Sequence, residues 1–224
     1  MSDDSAFRPA DPAGIHELRR SYHDRIADVR EQSVAMLRAV VLGIRVASGA
    51  LTEGAPVEPA TVPDVRRARA EAAYVDGTVV GMLALESPVA RDLRLILAAR
   101  DVAQLALLCV GLCAQLAVRV DRVVTGLDPA RLRLVGEVGA GTEALLVEAE
   151  SAWSALDPEM ARAVLGHAGE AREMQAGLIS ELIGLTDVPV PLAFDLAMVA
   201  RAFERLADHG LEVADRVLFA VPGG

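Results

Sequence analysis

From Ile15 to Ile44 the apolar residues return every three or four positions: Ile15, Leu18, Tyr22, Ile26, Val29, Met36, Val40 and Ile44, with the small Ser33 in step. That spacing lines them along one side of an α-helix and is incompatible with the alternation of a half-buried strand. A helix of about ten turns with one apolar side cannot cover that side by itself, so the chain has to fold as packed helices. The pattern stops near Gly49, before the Gly- and Pro-rich stretch TEGAPVEPATVP. It resumes to predict a second helix over 64–86, broken at Ser87–Pro88. Pro88 suits the first turn of a third helix continuing to about Thr125.

GLDP at 126–129 is a clear break, after which the pattern restarts. A fourth helix is expected over 130–155, a fifth over 158–185 and a sixth from Pro191 to about Phe219, with VPGG closing the chain. Three helices, a Gly/Pro break and three more helices describe a duplication. Slid by 97 positions, Val102, Ala103, Ala117, Arg119 and Val120 fall on Val199, Ala200, Ala214, Arg216 and Val217. The expected fold is all-α, two tandem antiparallel three-helix bundles. A polar segment spans 1–13, the repeats 14–126 and 127–220, and a tail 221–224.

Composition agrees. The chain is 53% hydrophobic but only 3% aromatic, so its core is built from Ala, Leu and Val, the first two being strong helix formers. Thirty-two acids against 22 bases, all of them arginine, give a net charge of −10 and argue against nucleic acid as the main partner. The opening MSDDSAFRPA has no apolar core of a secretory signal, and a cytoplasmic protein is expected. Cys109 and Cys113 stand one helical turn apart in an apolar run, as two buried thiols in a reducing compartment would. That run, VAQLALLCVGLCAQLAV between Asp101 and Arg119, is 17 residues without a charge. Its length is the bottom of the membrane-spanning range, and Gln104 and Gln115 inside it favour a buried bundle helix, so no stable membrane insertion is expected.

Residues 204–217, ERLADHGLEVADRV, place Glu204, Asp208, Glu212 and Asp215 within an arc of about 80°. Val199, Phe203, Leu206, Val213 and Val217 lie almost opposite, so the acids face outward. Two readings stand. One is a solvated face trimmed by local pairs: Arg201 with Glu204, Arg205 with Asp208, Glu212 with Arg216. The other is a metal site on Glu204, Asp208 and Glu212, with His209 at its edge, since carboxylates four apart can share an ion. The duplicate stretch, LLCVGLCAQLAVRV at 107–120, has Leu107, Gly111, Gln115 and Val118 in place of those acids, flanked by Leu108 and Leu112. A helix uncharged on every side is buried all round. Its own bundle covers one side, so a dimer partner, a membrane-embedded partner protein, or the N-terminal or fourth helix should cover the other. Leu107, Leu108 and Gly111 are therefore contact candidates. Arg91, Asp92 and Arg94 form a second set, although Asp92 is equally explained as a complement to the dipole at the start of a helix.

No enzyme is expected. A helical di-metal oxidase wants Glu-x-x-His on two helices, and here His167 precedes Glu170 with no partner copy. No Ser-His-Asp set, P-loop or Gly-rich phosphate cradle is visible. A plain helical scaffold, metal-binding or membrane-associated, is one reading of what remains.

Three passages resemble the PhoU family. ESPVARDLRLILAARDVA (86–103) is similar to the Gln-Gln-Pro-Val-Ala-Arg-Asp-Leu-Arg-like segment that opens that family's third helix. LAMVARAFERLADHGLEVADRV (196–217) is similar to the signature of the second repeat, whose Glu-Arg-Ile-Gly-Asp-His core stands here as ERLADH. HELRRSYHDRIADVREQSVAML (16–37) resembles the family's opening helix. The resemblance implies a cytoplasmic, commonly dimeric regulator of phosphate uptake. Such a protein sits between the ATPase of the phosphate ABC transporter and the phosphate-sensing histidine kinase, and restrains uptake and the starvation response when phosphate is plentiful. It also implies surface metal clusters, iron or zinc among them, on a Glu/Asp-x-x-x-Asp motif in each repeat. Glu204 and Asp208 match that motif, with Glu212 where an asparagine often stands; Leu107, Gly111 and Gln115 do not. Arg69 and Arg172 stand where neighbouring helices usually bring acids, and Glu71, Asp76, Glu170 and Glu173 are off register. Any metal would then be a single site in the C-terminal repeat.

Overall fold

The computed structural model describes residues 12–58, 62–184 and 187–221, with the side chains of 12–20 left aside. The polar segment 1–13 and the tail 221–224 thus fall almost entirely outside it, as do the side chains of Ile15 and Leu18. Among the described residues all regular structure is helical: α1 (Pro12–Glu53), α2 (Val65–Leu85), α3 (Ala90–Gly126), α4 (Pro129–Ala155), α5 (Pro158–Gly166), α6 (Ala168–Ile183) and α7 (Val190–Ala220).

Helix starts follow their capping chemistry. Asp64, Asp128 and Asp157 each accept hydrogen bonds from two backbone N–H groups of the following first turn, and Pro129 and Pro158 occupy helical positions that need no donor. Two expectations are corrected here. Pro88 lies before α3 rather than in its first turn, because Val89 after it is extended (φ −114°, ψ 146°) as the cap of α3, and Ser87 and Ala90 bracket the pair with positive φ, 46° and 35°. The fifth helix, expected unbroken over 158–185, divides at Gly166–His167 into α5 and α6; the apolar period runs on across this joint and hides it.

α1, α3, α4 and α7 form the centre: α1 packs on α3 and α4, and α7 packs on the same two. α2 flanks α1 and α3, while α5 and α6 flank α4 and α7, so α1–α3 and α4–α7 are two three-layered halves joined along α1–α4 and α3–α7. The α1 stripe read from sequence supplies the core: Ile26, Val29, Met36, Val40 and Ile44 are buried. Ser33 is buried in register with them because its hydroxyl donates to the Arg30 carbonyl (2.6 Å) and accepts the Trp153 indole N–H (2.9 Å). Arg30 in turn donates to the Ser154 carbonyl across the same seam. Small residues allow the closest approaches. A Cβ at Gly43 would stand 2.8 Å from Pro63 and 2.9 Å from the Cys113 Cβ, and one at Gly210 would run into Leu145 of α4.

Ser21–Glu53 of α1 and the whole of α3 are long and apolar enough to cross a membrane by length and composition. In this fold 56% and 50% of their most apolar stretches are buried inside the protein. Cys109 and Cys113 are both free and buried. Burial raises both thiols, Cys109 well above its ordinary range and Cys113 up to about 12, so neither forms a thiolate near neutrality. Native protein treated with a thiol-specific alkylating reagent at neutral pH is expected to take up almost no label, and denatured protein two labels. Rapid labelling of the native protein would contradict this burial.

Candidate functional site

The two motif stretches meet. α3 and α7 lie side by side, and ion pairs give their antiparallel register: Asp101 pairs with Arg216 (3.2 Å) near one end, and Arg122 with Asp195 (2.6 Å) near the other. Arg119 and Arg216, equivalent under the 97-residue slide, reach acids on each other's helix, Arg119 lying 3.7 Å from Asp195. Only the arginines are equivalent in this pairing: under the same slide Asp101 falls on Met198 and Asp195 on Ala98. The outer flank of α3 is therefore covered in part by its own duplicate α7, a neighbour absent from the candidates expected from sequence. Leu112, Cys109 and Cys113 are buried and Leu107 is half-buried against the core. Leu108 and Val118 remain 50% and 62% exposed, Gln115 is exposed, and nothing lies within 4 Å of a Cβ built on Gly111. A shallow recess where the helices meet is lined by Asp101, Gln104, Leu105, Leu108, Glu212 and Arg216.

Asp195 was missed in the sequence reading. It interrupts the apolar run PLAFDLAMVA, which was its only signal. Its side chain is 7% exposed and accepts two hydrogen bonds from the Arg122 guanidinium, at 2.6 and 2.8 Å. Those bonds hold its carboxyl below the usual carboxylate range against the opposing effect of burial.

On α7, Asp208, Glu212 and Asp215 are exposed and Glu204 is half-buried, while Phe203, Leu206, Val213 and Val217 are buried opposite them, as the spacing predicts. The local pairs are only partly as expected. Arg201 donates to Glu204. Arg216, expected to hold Glu212, turns instead to Asp101, because α3 brings a fixed acid beside it. Glu212 is left 3.5 Å from the Nδ1 of His209, whose two ring nitrogens are closed off without a hydrogen-bond partner. These acids do not fit a metal cluster: among the described residues no three His, Cys, Asp or Glu side chains converge on one point. Of the off-register acids, Glu71 pairs with Arg67 (2.8 Å) and Asp76 with Arg100 (2.5 Å). Iron and zinc contents of the purified chain and of a Glu204→Ala/Asp208→Ala double variant are expected to be equal. Loss of bound metal in the double variant alone would reinstate the site.

At the α2–α3 turn, Arg91 is exposed, while Asp92 and Arg94 are half-buried, the Nε of Arg94 having no hydrogen-bond partner. Asp92 sits in the first turn of α3, where the helix-dipole reading put it. This turn presents Leu85 and Val89 largely in water, and its positive φ values at Ser87 and Ala90 are strained for residues with a Cβ.

No family model matches the chain. Over 221 residues it is 25% identical to the phosphate-specific transport system accessory protein PhoU homolog 1 of Mycobacterium leprae, covering 92% of this chain and 95% of that relative. The PhoU homolog 2 of Mycobacterium tuberculosis is also 25% identical, over 218 residues that cover 92% of this chain and 99% of the relative. Among solved structures, that of PhoU from Pseudomonas aeruginosa superimposes with a TM-score of 0.80 at 22% identity, covering 91% of this chain and 100% of that one. The phosphate transport system regulatory protein PhoU from Streptococcus pneumoniae gives a TM-score of 0.74 at 15% identity, covering 91% and 98%. These two structures share the all-α fold described above.

Proposed function

We propose that this chain, which belongs to the PhoU family, is an accessory regulator of phosphate transport that works by protein–protein contact. Its partners in this reading are the ATPase of the phosphate ABC transporter and the phosphate-sensing histidine kinase, and its effect is to restrain uptake and the starvation response in replete cells. The observation that carries the reading is the extent of the match: curated accessory proteins of the phosphate-specific transport system align over 92% of the chain and nearly their own full length. The geometry supports contact rather than chemistry. Among the described residues, the exposed features include the helix strip holding Leu108, Gly111, Gln115 and Val118, and the strained α2–α3 turn with Arg91, Leu85 and Val89. A homodimer in the cytoplasm belongs to the same reading, with Leu107, Leu108 and Gly111 as the contact to a subunit or partner.

Leu108→Glu tests the contact directly. The residue is half-exposed, so the substitution leaves the core intact while setting a charge in an apolar contact, where it costs about tenfold or more in affinity. Co-purification with the transporter ATPase, or the dimer seen by sedimentation, should weaken accordingly. A variant unchanged in both would remove this strip from the contact.

A further inference from the structure

Large apolar side chains left in water collect at the α6–α7 hairpin. Ile183, Val190 and Phe194 are 79%, 82% and 60% exposed, and Ile179 is 40% exposed. Ile179 and Ile183, with Leu182, wall a groove of about 320 Å³ on the α6 side; Ala193, Ala197 and Ala200 of α7 form its floor, and the paired Arg201 and Glu204 stand at its end. α6 is thinly held: of its 16 residues only Gln175 and Leu178 are buried. A channel between two helices, with small residues four and three apart along its floor, has the form that admits a third helix at close range.

The same stripe of α7 changes character along its length. Ala193, Ala197 and Ala200 are followed on one arc of about 80° by Glu204, Asp208 and Asp215, and Glu204 itself lines the end of the groove. Arg201 pairs with Glu204; Arg205 and Arg216 lie off the arc, and Arg216 is bound to Asp101. The surface is thus apolar over one half and acidic over the other. A second copy of the chain would bring the same acids and a net charge of −10, so it is not the complementary occupant.

We propose that the α6–α7 groove receives an amphipathic helix of a different protein, with an apolar ridge over one half and arginine or lysine over the other. This assigns the outward acids of 204–217 a role in docking, and it deepens the contact-regulator reading, on which it rests. The probe is a fluorescent synthetic helix of about twenty residues, roughly 30 Å long. It has leucines at i, i+4 and i+7 in one half and arginines continuing that face in the other, made in both chain polarities and titrated against the full chain by fluorescence anisotropy. One polarity should bind. Ala197→Gln, which fills the floor, should weaken it by about tenfold or more, as truncating or blocking a hot spot does. Asp208→Arg should weaken it severalfold and flatten its salt dependence, and a peptide with glutamates for arginines should lose at least about tenfold. The proposal is overturned if neither polarity binds up to about 1 mM, or if both variants bind like the parent. It is equally overturned if sedimentation shows self-association that Ala197→Gln abolishes, which would put a second copy in the groove. Because the binding is measured on purified components, its failure leaves the phosphate phenotype to be judged separately.

Discussion

Trp153→Ala should lower the unfolding free energy by about 3–5 kcal/mol, the usual range for emptying a fully buried tryptophan site. Trp153 is the only tryptophan in the chain, is 0% exposed, and lies where α4 of one half meets α1 of the other. Its removal opens a large hole and takes the indole N–H from Ser33, whose hydroxyl keeps its bond to the Arg30 carbonyl. The cost is therefore chiefly the cavity, with about 1 kcal/mol for the lost hydrogen bond. Trp153→Phe separates the two, since it refills most of the space without the N–H, and should recover more than half of the loss. Denaturant unfolding followed by circular dichroism measures both. A loss below about 1 kcal/mol in the alanine variant would mean that the α1–α4 seam is not packed as described.

Asp195→Ala should cost about 2–3 kcal/mol, below the range for removing one member of a wholly buried pair because Arg122 is half in water. The acid itself is buried, and Arg119 and Arg122 of α3 converge on it from the other half of the molecule. Its effect should depend on pH in a defined sense. The Arg122 hydrogen bonds depress the folded-state carboxyl below its unfolded value near ~4. The stabilisation from that depression is complete above the unfolded value and disappears as the pH falls through the folded one. The gap in stability between the native chain and Asp195→Ala should accordingly be constant from about pH 5 upward and narrow in acid. A gap that widens on acidification would contradict the ion-pair account.

Much of this was legible in the sequence because helices announce themselves locally. The three-and-four spacing of α1, the Asp-Pro starts of α4 and α5, and the Gly/Pro breaks between elements are all read within a few residues. What stayed hidden depends on neighbours distant in sequence. The spacing of 107–120 demanded cover on both sides of α3, but could not say that the cover would come partly from α7, the other copy of the same motif. Local pairing rules assigned Arg216 to Glu212, and a fixed acid at Asp101, more than a hundred positions away, took it instead. The break at Gly166–His167 left the apolar period intact, so periodicity passed over it. Asp195 has no arginine partner within its own helix to mark it, and only the fold brings Arg119 and Arg122 of α3 to it. The acid strip was correctly placed facing outward, yet its chemistry turned on whether other acids converge on it, which a single helix cannot show.

The proposed restraint of phosphate uptake is tested most directly by the initial rate of labelled phosphate uptake in phosphate-replete cells of the encoding organism. Cells lacking the chain should take up phosphate faster than the parent, and restoring the intact chain should return the rate to that of the parent. Equal rates in the presence and absence of the chain, with the transporter shown to be present in both, would contradict the account.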